Sequence, residues 1–228
     1  MSASVDFAAR AGDTRLAADL ILVHKVFRRE LRLLPALVGA VPADRTDRAA
    51  LLAGHYREIA TALRHHHHAE RDLLLGRLAE RAPLDPAIQD GMRGWHRRHD
   101  ELLGELDGML DLWVAAADVD VRDLLVEILT ELADAVSDHL DLVEARVLPD
   151  VDRHFTGREW LALGLRAASW IPLNRMAWML GAMLEDATDA ERRNLMGKVP
   201  GPARLLYRMV GQEQYVREMR ALRDPVAA

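Results

Sequence analysis

Four long stretches of this 228-residue chain repeat apolar side chains at intervals of three and four, and every one of the four stripes carries histidine. That interval is the period of an α-helix with one buried stripe, and it is incompatible with the alternation of a strand. The first stripe reads Leu16, Leu20, His24, Phe27, Leu31 and Leu34. The second reads Leu52, His55 (or Tyr56), Ile59, Ala62, His66, Glu70 and Leu73. The third is Ile88, Met92, Trp95, His99, Leu102, Leu106 and Met109. The fourth is Leu125, Ile128, Leu132, Ala135, His139 and Leu142, with a neighbouring line of Val136, Leu140, Glu144 and Val147. Each stretch therefore turns at least one imidazole inward, and two turn a carboxylate inward.

Punctuation sets the lengths. The first helix is expected from about Asp13 to Ala40, closed by Gly39 and Pro42, and the second from about Asp44 to Arg81, before Pro83. Asp85 followed by Pro86 is an N-cap with an N1 proline, opening a third helix to about Ala116. A fourth is expected from Asp118 to Leu148, stopping at Pro149. Short connections such as "VPADRT" and "RAPLDP" favour antiparallel neighbours. The fold class is thus all-α, an up-down-up-down four-helix bundle over residues 1–150. Residues 151–228 read as a C-terminal helical extension on or near the bundle, broken by Pro172, Gly197, Pro200, Gly201 and Pro202.

Composition narrows the chemistry. Half the residues are hydrophobic and 5% aromatic, enough for a real core and biased toward helix. A net charge of −6 with no basic cluster argues against nucleic acid. The absence of cysteine excludes disulfides, thiolate zinc sites and thiolate catalysis, and it fits a reducing cytoplasm. The opening "MSASVDFAAR" lacks the charged and apolar regions of a signal peptide. The most apolar segment, "LALGLRAASWIPLNRMAWMLGAML", is broken by Arg166, Pro172, Asn174 and Arg175, so no membrane span is expected. A membrane-surface or partner-binding role for it stays open.

A single buried histidine is ordinarily a core residue with its hydrogen bonds satisfied. Four on four helices need a common partner, because an unpaired buried polar group costs about 1–3 kcal/mol. Metal ions satisfy imidazoles and carboxylates together, and without thiolates the donor set suits iron, manganese or zinc. Within "HHHHAERDLLL", His66 and Glu70 are four apart and lie over one another on a helix. His65 and His67 point about 100° to either side and are read as supporting donors or helix contacts; His68 is read as solvated or near a neighbouring helix. His139 and Glu144 are five apart, so Glu144 needs its long arm or a local π-type widening to reach the same site. His154, beyond Pro149, is read as exposed and uninvolved.

These residues resemble the hemerythrin-like, or HHE cation-binding, family. Its pattern of histidine, then H-x-x-x-E, then H-x-x-x-H, then H-x-x-x-x-D/E on successive helices falls here on His24, on His66 with Glu70, on His99, and on His139 with Glu144. The likeness covers roughly residues 13–150. It implies two non-haem iron ions bridged by Glu70, Glu144 and an oxo or hydroxo group. One iron would take His24 and His66; the other would take His99, His139 and a histidine four residues before His99. That position is Trp95. His96, three residues before His99, is the leading substitute; Tyr56, His55 or a water are the others. The departure puts simple reversible oxygen carriage in question, since a changed shell changes which iron is open.

The implied function is binding or transforming a small diatomic or peroxide ligand (O₂, NO or H₂O₂), as sensor, scavenger or store. Turnover would need an electron donor that the sequence does not identify, and a homo-oligomer stays open. One alternative is a helical interaction module that metal merely stabilises, with Trp160, Trp170, Trp178 and the methionines of "RMAWMLGAMLE" as its face; their spacing favours core packing. An HD-type phosphohydrolase, suggested by His99-Asp100, is disfavoured because Asp100 leaves the stripe. A ferritin-like oxidase is disfavoured because the chain has no E-x-x-H pair.

Overall fold

The computed structural model describes residues 16–82 and 85–224, which form eight helices and no strand. The expected start at Asp13 and the stop at Pro83 lie outside the described residues. Helix α1 is Ala18–Gly39. Helix α2 runs Thr46–Ala69, passes through a π-helical stretch Glu70–Leu75 and closes with the α-turn Gly76–Ala79. Helix α3 is Pro86–Ala116, with Asp85 capping it by accepting from the Ala87 N–H at 2.9 Å. Helix α4 is Val119–Leu142, continued by a π-helical stretch Val143–Val147 and an α-segment Leu148–His154.

Two expectations are corrected here. The fourth helix does not stop at Pro149, and His154 closes a helix rather than lying in a loop. Pro149 stands in the first turn after the π stretch, where a missing N–H is tolerated.

Around the bundle, α1 packs on α4, α4 on α3, α3 on α2 and α2 on α1, a closed antiparallel ring. Its core stacks Phe27, Leu31, Leu63, Leu102, Leu106, Trp113, Leu132 and Val136. A second apolar layer at one end joins Leu74, Leu78, Met92, Val143, Val147 and Phe155. Between these two layers, in chain order on every helix, fall the inward-facing histidines.

After the bundle come α5 (Gly157–Ala168), a 3₁₀ turn Leu173–Arg175, α6 (Met176–Glu185) and α7 (Asp189–Lys198). Helix α8 is Gly201–Leu206, continuing through a π stretch Tyr207–Gly211 to Gln212–Arg223. Helices α5 and α7 each begin with a capping box, Thr156 with Glu159 and Thr188 with Glu191. Helix α6 lies on α1 and α8 lies on α6, and Trp178, Ala182, Tyr215, Met219 and Leu222 complete the main core. Trp178 is buried and edge-on to Tyr215, so this part of the tryptophan and methionine series is packing. No helix among the described residues is long and apolar enough to cross a membrane.

A buried polar joint ties bundle to extension. Glu30 of α1 takes His55 Nε2 at 3.0 Å, Arg29 Nε at 2.8 Å and an Arg223 guanidinium nitrogen at 3.2 Å. Arg29 also reaches Asp186 and donates to the Ala182 carbonyl at 3.1 Å. Arg48 donates to the Ala221 carbonyl at 2.7 Å and to that of Leu222. His55 is therefore committed to Glu30, and Tyr56 donates to the Leu103 carbonyl at 3.4 Å. Neither stands among the candidate metal-binding donors.

Candidate metal centre

Two groups of three donors meet in the polar layer. His24, His66 and Glu70 form one, and His67, His96 and His139 form the other; within each group one ligand atom per residue lies within 4.8 Å of the others, and all six residues are buried. Glu70 faces both. Its Oε1 is 3.2 Å from His66 Nε2, while its Oε2 is 3.0 Å from His96 Nε2 and 3.4 Å from His139 Nε2. Two donors about 2.0–2.1 Å from one ion, at angles near 90–110°, stand roughly 3.0–3.4 Å apart. The measured separations match that edge length.

Unsatisfied atoms point the same way. His24 Nε2, His66 Nε2, His67 Nδ1, Glu70 Oε1 and both ring nitrogens of His139 are buried without a hydrogen-bond partner among the described residues. Packing lone pairs against one another in an apolar interior is costly unless a cation shares them. The donor set therefore fits a pair of cations.

Local structure explains how the donors converge. Glu70 opens the π stretch of α2, and Glu144 lies in that of α4. Such stretches widen the helix by one residue per turn and re-aim the side chains on it. His67 stands three residues before Glu70 and His66 four, so one turn of α2 sends an imidazole to each side of the carboxylate.

Protonation is tuned by burial. Burial, ahead of any other influence, lowers His24 and His67, takes His99 down to about 4 and His139 to about 3. Neutral imidazole is the metal-binding form. Glu70 goes the other way: burial alone would raise it, but the surrounding histidines hold it well below the usual carboxylate range. An ionised carboxylate ringed by imidazoles results.

Of the sequence-predicted set, His24, His66, Glu70, His96 and His139 are brought together. His99 is buried beside them but in neither group. Its Nδ1 lies 3.2 Å from His67 Nε2 and its ring stacks on that of His67 at 4.9 Å, so it stands behind His67. Glu144 is also in neither group: its Oε1 accepts from His24 Nδ1 at 2.8 Å and from Arg28 at 2.6 Å. That bond turns His24 Nε2 inward. His67, read from the sequence as a supporting donor or helix contact, stands in the second group, and its spacing of three to Glu70 is the sequence signal for that place. Among the neighbouring histidines, His68 is exposed, pairs with Asp72 at 3.0 Å and stacks near Trp170, as His65 does. Asp100 is exposed and lines a surface depression with Arg71, Arg93 and Arg97 that touches the cluster at His96. It takes no part in the donor groups.

Comparisons with curated proteins and with solved structures gave no match. Comparison with family models matches the hemerythrin HHE cation binding domain across residues 15–151, more than half of the chain.

Proposed function

The chain belongs to the hemerythrin HHE cation-binding domain family, and from that premise we propose that it is a non-haem diiron protein for a small diatomic or peroxide ligand. The observation that carries the reading is Glu70, a buried carboxylate whose two oxygens address two separate histidine groups. In this reading His24, His66 and Glu70 hold one ion. His67, His96 and His139 hold the second, with Glu70 shared. Iron pairs in such a shell supply reversible redox and small-ligand binding; the donors also accept manganese or zinc.

The remaining side chains orient and insulate. Glu144, fixed by Arg28, holds the His24 proton on Nδ1 and leaves Nε2 for the ion. His99 braces the His67 ring from behind. Phe27 lies 5.2 Å from the His66 ring, and the two apolar layers keep bulk water from the donors. Sensing, scavenging or storage of the ligand follows from such a shielded site, in a reducing cytoplasm that keeps iron available.

The test is metal content with a spectrum. Protein expressed with iron is expected to carry about two iron ions per chain and to show the near-ultraviolet charge-transfer absorption of a bridged ferric pair. Fewer than about one bound transition metal per chain would reject the reading. Mixing reduced protein separately with O₂, NO and peroxide then sorts stable adducts from turnover.

A further inference from the structure

Helix α8 is apolar on two faces. The first is accounted for: Tyr207, Gly211, Tyr215, Met219 and Leu222 are buried against α6 and the main core. The second is not. Leu205, Leu206, Met209, Val210 and Val216 are 59%, 63%, 69%, 53% and 48% exposed. A surface helix needs one apolar stripe, and a second one in water is an unmet cost unless something covers it.

The flanks of this strip are cationic. Arg204, Arg208, Arg217 and Arg220, all on this one helix, make no side-chain hydrogen bond or ion pair among the described residues. Against them the helix sets Glu213 and Glu218, and Glu218 is already neutralised by Arg175 at 3.0 Å. In a chain of net charge −6, this helix is a local excess of positive charge.

We propose that the outer face of α8 docks reversibly on an anionic lipid surface, with its aliphatic strip at the acyl boundary and its arginines at the headgroups. Two observations select that occupant. Unpaired arginines complement an acidic surface and, face to face, oppose a second copy of this chain. Aliphatic residues flanked by long snorkelling arginines are the pattern of an interfacial helix, and no helix among the described residues is suited to span.

The experiment is flotation of the full chain with phosphatidylcholine vesicles that do or do not contain phosphatidylserine, at low and high salt. Co-flotation with the anionic vesicles alone, weakened by salt, is expected. The pair Arg204→Glu with Arg208→Glu should lower partitioning by at least about tenfold. The pair Leu205→Ser with Met209→Ser should also abolish it. Both keep parental helix content and metal content, because none of these residues touches the core or the donor groups. A parent chain that stays with neither vesicle overturns the proposal, as do variants that float like the parent. Retention on immobilised polyglutamate without vesicle binding would reassign the face to an acidic protein. A concentration-dependent dimer that the Leu205/Met209 pair abolishes, again without flotation, would reassign it to a second copy.

Discussion

Replacing Glu30 by glutamine tests what joins the extension to the bundle. The Glu30 side chain is 3% exposed and sits among His55, Arg29 and Arg223. Burial by itself would raise its pKa; the His55 hydrogen bond and charge, then Arg29, outweigh burial and hold the carboxyl at about 2, against an ordinary 4.5. At about 1.4 kcal/mol per tenfold change in proton affinity, the ionised form favours the folded state by on the order of 3 kcal/mol. The sign follows from the depressed value: the contribution is full above 4.5, and it is lost as the pH falls through about 2. By about pH 3 it has dropped to roughly 1 kcal/mol. The glutamine side chain keeps the volume but leaves the cations facing a neutral amide, which costs about 3 kcal/mol or somewhat more. For a chain of this size that lowers the melting temperature by about 6–12 °C near neutral pH. Thermal unfolding of chelator-treated parent and E30Q, stepped from neutral toward acid, keeps cation release out of the comparison. The gap should narrow as the pH drops. A gap under about 2 °C at neutral pH, or one that widens in acid, would refute the assignment.

Glu70→Ala should lose both cations, since one carboxylate oxygen is removed from each side; metal content unchanged from the parent would remove Glu70 from the site. His67→Ala should lose one cation of the pair while His65→Ala, on the Trp170 side, keeps both, as read by metal analysis. Trp95→His, which supplies the family's missing imidazole, should leave metal content unchanged because His67, His96 and His139 already make a three-histidine group; a gain in metal would place position 95 in the shell. Gly181→Ala should loosen α8, because the new Cβ would meet Tyr215 Cγ at 2.5 Å. A loss of about 1–3 kcal/mol in urea unfolding, with faster proteolysis of the extension, is expected.

Helix identity was legible because every bundle helix buries one stripe against the same core, so the period is written in Leu31, Ile59, Leu102 and Leu132 alike. His24 and His139 were legible for the same reason: a stripe position is an inward position. Their partners were harder. His55 lies on the stripe of α2 as plainly as His66 does, and only the coordinates show Glu30 opposite it. Boundaries failed where helix type changed. The π stretch Val143–Val147 carries α4 across Pro149 to His154; the five-residue spacing of His139 and Glu144 allowed for a π-type widening at Glu144, but not for a helix that runs on past Pro149.

The placement of His67 is instructive. One face per helix is the right rule for apolar packing, since a stripe meets one core. On the proposed reading it is the wrong rule for a carboxylate that would serve two ions. Glu70 has two oxygens directed to opposite sides, so its neighbours on α2 must diverge rather than stack. Adjacent residues separated by about 100° do this, with His66 going toward His24 and His67 toward His96 and His139. On the proposed reading helix α3 need not supply two ligands: His96 would take one place, while His99 stands behind His67, and Trp95 lies with its ring 6.0 Å from that of His99. The departure from the family's spacing on α3 and the extra histidine on α2 are two parts of a single rearrangement. On that reading, exchanging a donor between helices keeps three imidazoles in the second group.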